Sequence, residues 1–324
     1  LATRTYAVRI AHFAPSWEEL AVARRRLVFE ELFYFSIGLA LLRQRRTAEV
    51  GIRCANGDLR GFYALLPFQL TGAQRRAAED AARDLTRGVP MNRLLQGDVG
   101  SGKTVVGAAC VWLMAQNGYQ SALMAPTEIL AQQHAQTLQT LLAPSGIRVG
   151  LLTGSLRAAE KRKIYDAMAT GAVDLVVGTH ALMSEGVEFA RLGLAVIDEQ
   201  HRFGVRQRGA LAEKAANPHL LVMSATPIPR TLGLLIYGDL DISVLDELPP
   251  GRTPVKTRCI TGKRRQDLYR FLDSEIDKGR QVYLVCPAIE DVPDGGLNAV
   301  KSYYEDIAKA LLPERFIGQY SNGV

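Results

Sequence analysis

Gly97, Gly102, Lys103 and Thr104 stand at the spacing G-x-x-x-x-G-K-[ST], inside the stretch MNRLLQGDVGSGKT at residues 91–104. Residue types at that spacing can cradle the phosphates of a nucleotide. Gly97, Gly100 and Gly102 permit backbone angles and close approaches that a Cβ would forbid, so the amides of the loop that also holds Asp98, Val99 and Ser101 can converge on an anion. Lys103 supplies a mobile cation for the β- and γ-phosphates, and the Thr104 hydroxyl suits a Mg²⁺ ligand. A helix expected over 104–117 would add its positive N-terminal end at the same point.

About a hundred residues later, LGLAVIDEQH at 192–201 is an apolar run that ends in two carboxylates. Asp198 and Glu199 therefore fall at the carboxyl edge of a buried strand. There Asp198 would hold Mg²⁺, directly or through water, and Glu199 would orient and deprotonate an attacking water. Ser224, Ala225 and Thr226 follow the next apolar run, where small hydroxyl side chains can exchange partners when the nucleotide changes. Three further loops offer small polar groups: Pro126 and Thr127, Thr153 and Gly154, and Gly178, Thr179 and His180. Hydroxyls, main-chain amides and helix starts hold a nucleic-acid backbone without reading its bases.

These residues need a scaffold that brings strand ends together. Short apolar runs at 93–96, 122–124, 149–152, 175–177, 194–197 and 220–223 alternate with helical patterns, which implies an α/β, doubly wound parallel sheet with ligands beyond its carboxyl edge. Ahead of it, residues 14–46 read as one long helix: Ser16 and Glu19 form a capping box, and Val28, Leu32, Phe35, Leu39 and Leu42 make an apolar stripe. Residues 47–66 read as a linker. After Leu248-Pro249-Pro250-Gly251 the pattern restarts, with strands expected at 255–260, 281–286 and 315–318 and helices at 263–278 and 301–312. The expected domains are 1–65, a connector helix and linker; 66–250, the nucleotide-binding domain; and 251–324, the start of a second domain of the same kind.

Composition bounds the rest. A chain of 324 residues that is 48% hydrophobic can bury a large core, and 39 basic against 33 acidic residues leave a formal charge of +6, which fits an anionic partner such as nucleic acid. The four cysteines have no paired metal-ligand spacing and read as reduced thiols, at least two of them buried. No apolar run of membrane-spanning length and no signal-peptide pattern occurs, so a cytoplasmic protein without membrane contact is the default expectation.

With these residues in hand, the chain resembles the superfamily-two helicases and translocases, and within them the RecG-type DNA helicases. The resemblance rests on LPFQLTGAQ (66–74), GDVGSGKT (97–104), MAPTEIL (124–130), VGTHALM (177–183), VIDEQHRFGVRQR (196–208), MSATPIPRTL (223–232) and DELPPGRTPV (246–255). It implies a RecA-like fold and ATP-dependent action on branched or forked DNA at stalled replication forks, in recombination and repair. It also implies a monomer that works with a single-stranded DNA-binding protein. By the same resemblance Gln74 would read the adenine edge and Phe68 cover the adenine face. Gln200 and His201, with Ser224, Ala225 and Thr226, would couple the nucleotide to the second motor domain, and the long helix would connect a DNA-binding wedge domain to the motor. After Ile317 the family's His-Gly-Arg element is replaced by Gln-Tyr-Ser-Asn-Gly-Val. The expectation is a fragment without the wedge domain and most of the second motor domain, including its arginine fingers, which binds ATP far better than it hydrolyses it. A degenerate remnant that binds nucleotide without unwinding, and an RNA-directed helicase, are the competing readings.

Overall fold

The computed structural model describes residues 1–47, 50–184, 186–198, 217–225, 240–247, 255–261, 264–286 and 304. The chain divides into two units, Leu1–Arg252 and Thr253–Val324.

The first unit is built on a seven-stranded sheet in which every pairing is parallel. Its strands are β1 (Asn92–Gly97), β2 (Gln120–Met124), β3 (Val149–Leu152), β4 (Leu175–Gly178), β5 (Leu192–Asp198), β6 (His219–Ser224) and β7 (Asp241–Leu245), in the spatial order β3-β4-β2-β5-β6-β1-β7. The central strands β2 and β5 are buried along their whole length, as parallel strands covered on both faces must be. Successive side chains alternate between two cores. Leu123, Val177, Leu194 and Val196 join one, with Phe62, Leu95, Leu113 and Leu138; Met124, Val176, Ala195 and Ile197 join the other, with Leu152 and Met168.

The first core is closed by the helices α4 (Gly72–Thr86), α5 (Lys103–Gln116) and α6 (Glu128–Leu142), and α7 (Ala158–Ala169) contributes Met168 to the second. The apolar faces match the helical period: Ala131, Ala135, Leu138 and Leu142 of α6 are the buried positions. The six expected strands all form, each within two residues of its expected ends. β7 was not anticipated; its sequence DISVL is short and half polar, and it pairs with β1 alone at the edge of the sheet.

The stretch read as a linker packs instead. It carries the short helix α3 (Arg60–Leu65), and Cys54, Leu59 and Phe62 are buried in the first core, the Phe62 ring 6.2 Å from that of Trp112. Burying those apolar groups offsets the entropy of ordering a tether.

At the N-terminus, α1 (Arg4–His12) packs along α2 (Trp17–Thr47) through Ala7, Ile10, Ala23 and Leu27. Half of the expected capping box of α2 forms: Ser16 Oγ accepts from the Glu19 amide at 3.2 Å, while Glu19 Oε2 accepts from the Tyr6 hydroxyl at 2.8 Å. In the stripe, Val28, Leu32 and Phe35 stand exposed. In the second unit, α8 (Arg265–Asp277) forms within the expected helix, whereas 255–261 and 281–286 form no strand; the expected strand at 315–318 lies outside the described residues. Among the described residues no helix is long and apolar enough to cross a membrane.

Candidate nucleotide site and nucleic-acid edge

β1 delivers the chain into the glycine loop at Gly97, and α5 takes it away at Lys103. Gly100 and Gly102 have φ of 77° and 86°, the left-handed region that glycine enters without strain. Gly102 is the N-cap of α5 and makes no side-chain cap hydrogen bond, so no side chain covers the positive end of that helix. Ser101 is fully buried and its hydroxyl has no hydrogen-bond partner, while Asp98, Val99 and Gly100 are exposed at the mouth. Lys103 Nζ donates to the carbonyls of Gly97 at 2.8 Å and Asp98 at 3.0 Å, holding its cation over the loop. A helix start without a side-chain cap, an orphaned hydroxyl and a lysine head group together suit a polyphosphate.

Gln74 supports this loop from beneath. Thr71 Oγ1 accepts from the Gln74 amide at 3.2 Å, Gln74 Oε1 accepts from the Thr71 amide at 3.0 Å, and Gln74 Nε2 donates to the Ser101 carbonyl at 2.8 Å. With 3% of its surface exposed, Gln74 spends both ends of its amide on the chain itself, in a reciprocal cap of α4 and a strut to the loop. Phe68 is half exposed and borders a cavity of about 300 Å³ with Tyr63, Leu66, Pro67, Gln69, Leu70 and Arg75. The Arg75 guanidinium lies 5.5 Å from the centre of the Tyr63 ring. An apolar, aromatic slot beside the start of α4 suits a flat base.

Asp198 ends β5, Ser224 ends β6 and Gly97 ends β1. Since these three strands are parallel neighbours, all three ends share one sheet edge, and the register sets Asp198 beside Met223 and Gln96 beside Ser224. Two strand spacings, about 10 Å, separate β5 from β1. Asp198 is 8% exposed, and its Oδ2 lies 2.6 Å from Nε2 of His134 on α6. A buried carboxylate on the same sheet edge as a phosphate loop fits Mg²⁺, which takes one or two carboxylates and fills its remaining positions with phosphate oxygens and water. Among the described residues no cluster of three His, Cys, Asp or Glu offers an all-protein metal cage. Ser224 is buried and Ala225 follows it; Glu199, Gln200, His201 and Thr226 lie outside the described residues.

The remaining loops follow β2, β4 and β3, consecutive strands on the same edge. Hydrogen bonds tie them into a row: the Ala125 amide donates to the Gly178 carbonyl at 2.8 Å, the Ser155 amide to Glu128 Oε1 at 3.0 Å, and Lys161 Nζ to the Gly154 carbonyl at 2.7 Å. The Ser155 hydrogen bonds hold the Glu128 carboxyl below the usual range. Thr127 caps α6, its Oγ1 accepting from the Leu130 amide at 3.3 Å. Thr153 and Thr179 are buried, so Gly154, Ser155 and His180 are the exposed groups of those two loops, beside half-buried Pro126 and exposed Thr127. His134, Tyr63, Arg75 and Lys161 were not anticipated as site residues. No local motif marks His134, which reaches Asp198 only because α6 lies over the sheet.

The cysteines are free thiols. Burial pushes Cys54 up to about 11 and Cys110 up to about 12, which leaves both protonated and unreactive.

Known proteins resemble this chain over most of its length. The ATP-dependent DNA helicase RecG of Synechocystis sp. is 48% identical over 315 residues, covering 96% of this chain and 38% of that protein. RecG of Thermotoga maritima is 43% identical over 309 residues, covering 95% of this chain and 40% of its own length. The chain thus spans about two fifths of the curated relatives it matches. A solved structure of RecG bound to a three-way DNA junction superposes with a TM-score of 0.79 at 41% identity, over 91% of this chain and 39% of that one. The family model for DEAD/DEAH box helicases matches residues 71–234, the stretch from the cap of α4 past the phosphate loop, Asp198 and Ser224, and the chain belongs to that family.

Proposed function

We propose that the chain is the ATP-binding motor domain, with its flanks, of an ATP-dependent DNA helicase or translocase acting on branched or forked DNA. The carrying observation is the single sheet edge on which the glycine loop, Asp198 and the three polar loops all open. In this reading the loop amides and Lys103 bind the polyphosphate of ATP, the slot around Phe68 and Tyr63 takes the base, and Gln74 keeps the loop in shape. Asp198 and the Thr104 hydroxyl would hold Mg²⁺, which when bound neutralises charge developing on the β- and γ-phosphate oxygens. Glu199 would orient and deprotonate the attacking water, Gln200 and His201 would connect the nucleotide to a second motor domain, and Ser224 with Thr226 would change partners as hydrolysis proceeds. Pro126, Thr127, Gly154 and His180 offer small groups to one strand of nucleic acid in a manner that ignores sequence. Branched DNA is favoured over RNA by the relatives, one of which was solved on a three-way junction.

Stimulation of ATPase activity by forked DNA and by duplex RNA, measured in the full-length protein, tests this. Forked DNA should stimulate strongly and RNA weakly, and Lys103→Ala or Glu199→Gln should each abolish the stimulated rate. RNA stimulation equal to that by DNA would replace the substrate, and retained activity in either variant would remove its assigned role.

A further inference from the structure

The contact between His134 and Asp198 has no part in the function outlined above, yet it is a short polar contact made at the nucleotide edge by a side chain from outside the glycine loop and β5. Along β5, Leu194 and Val196 face the core closed by α5 and α6, while Ala195 and Ile197 face the other. Alternation puts Asp198 on the α5/α6 side, the side of the helix that starts at the phosphate loop. His134 stands on α6 between the buried Ala131 and Ala135, at the margin of the helix's apolar face. Its imidazole and the carboxylate are each 12% exposed, and the Nε2–Oδ2 distance is 2.6 Å. Among the described residues, no other side chain makes a hydrogen bond or ion pair with Asp198.

We propose that His134 is a positioning residue for Asp198. Its N–H occupies Oδ2 and fixes the rotation of the carboxylate, so that the other oxygen is presented for a divalent cation or its bound water. A carboxylate free to turn would lose entropy on binding metal; one already held by a donor does not, and groups that hold metal ligands in this way are worth about 10- to 100-fold in metal affinity. A purely structural histidine would not concern the metal. The inference rests on the proposed role of Asp198 in holding Mg²⁺.

The test measures the Mg²⁺ concentration that half-saturates binding of a fluorescent ADP analogue to the full chain, together with the affinity for the same analogue in EDTA. The variants are His134→Leu, His134→Gln, whose amide N–H can take the place of Nε2–H, and Asp198→Asn. His134→Leu should raise the Mg²⁺ requirement by about 10-fold or more with the EDTA affinity unchanged, and His134→Gln should restore most of the difference. A Mg²⁺ requirement in His134→Leu equal to that of the parent chain overturns the proposal. So does a loss of EDTA affinity shared by the Leu and Gln variants, which is the mark of a packing role. If Asp198→Asn leaves the requirement unchanged, the metal role of Asp198 falls and this inference falls with it; a change in Asp198→Asn but not in His134→Leu removes this inference alone. Thermal unfolding checks that each variant folds, and His134→Ala serves if the Leu variant does not.

Discussion

His219 shows how one buried side chain makes stability depend on pH. It opens β6 with no surface exposed, and its Nδ1 accepts a hydrogen bond from the Met91 amide at 2.9 Å. That bond requires a neutral nitrogen, and burial pushes the imidazole down from 6.5 to about 4. An imidazole held neutral in the fold but free to protonate when unfolded contributes stability that is complete above pH 6.5 and is lost as pH falls toward 4. A shift of that size corresponds to on the order of 3 kcal/mol lost by pH 4. Urea unfolding at pH 7, 5.5 and 4 checks this: the parent chain should lose stability over that window more steeply than His219→Asn, whose side-chain oxygen can still accept from Met91. Equal slopes would show that other groups carry the acid sensitivity. Nothing in the sequence marks His219 as special, because its neighbours Pro218 and Leu220 do not reveal that β1 lies alongside.

At the scale of elements, the loop depends on a glycine whose reason is visible only in three dimensions. A Cβ on Gly102 would run into the Gln74 amide, and its φ of 86° is one that other residues enter only with strain. Gly102→Ala should therefore break the strut from Gln74 to Ser101, weaken nucleotide binding by at least about tenfold, and cost the fold only about 1–3 kcal/mol. Titration with a fluorescent nucleotide beside a denaturant melt separates the two effects, and a variant that binds normally would show that the loop tolerates the shift. The glycine spacing itself was readable, since phosphate chemistry demands it locally. So were six strands, whose short buried apolar runs are set by burial on both faces. Elements whose partners lie far along the chain were harder to read. β7 exists because β1 has an open edge for it, and Phe62 turns an expected linker into core because Trp112 waits for it. The role given to Gln74 was read from its motif, while its geometry points inward to the loop.

Across the whole domain, one buried ionic cluster ties the first helix of the nucleotide fold to both strands at its far edge. Arg93 of β1 reaches Asp84 of α4 with Nη2 at 2.6 Å and Nε at 2.8 Å, and donates from Nη1 to Ser243 Oγ of β7 at 2.7 Å. Ser243 in turn donates to Asp80 Oδ2 at 3.2 Å, and the exposed Arg87 pairs with the other oxygen of Asp84 at 3.0 Å. Arg93 and Asp84 are both nearly buried, so their attraction and their desolvation nearly cancel. Losing one partner is another matter. Arg93→Met leaves Asp84 with a single solvent-screened arginine and leaves Ser243 without its donor, and it should cost about 3–5 kcal/mol. The double variant Arg93→Met, Asp84→Leu removes both charges and should recover most of that loss, a coupling of at least about 2 kcal/mol in a double-mutant cycle. Denaturant unfolding of the parent chain, both single variants and the double variant measures it. Additive losses would mean that the cluster acts as independent contacts. A recovered double variant would show that each single loss comes from stranding a buried charge and not from a net attraction, so that β7 can hold its place beside β1 without the ions.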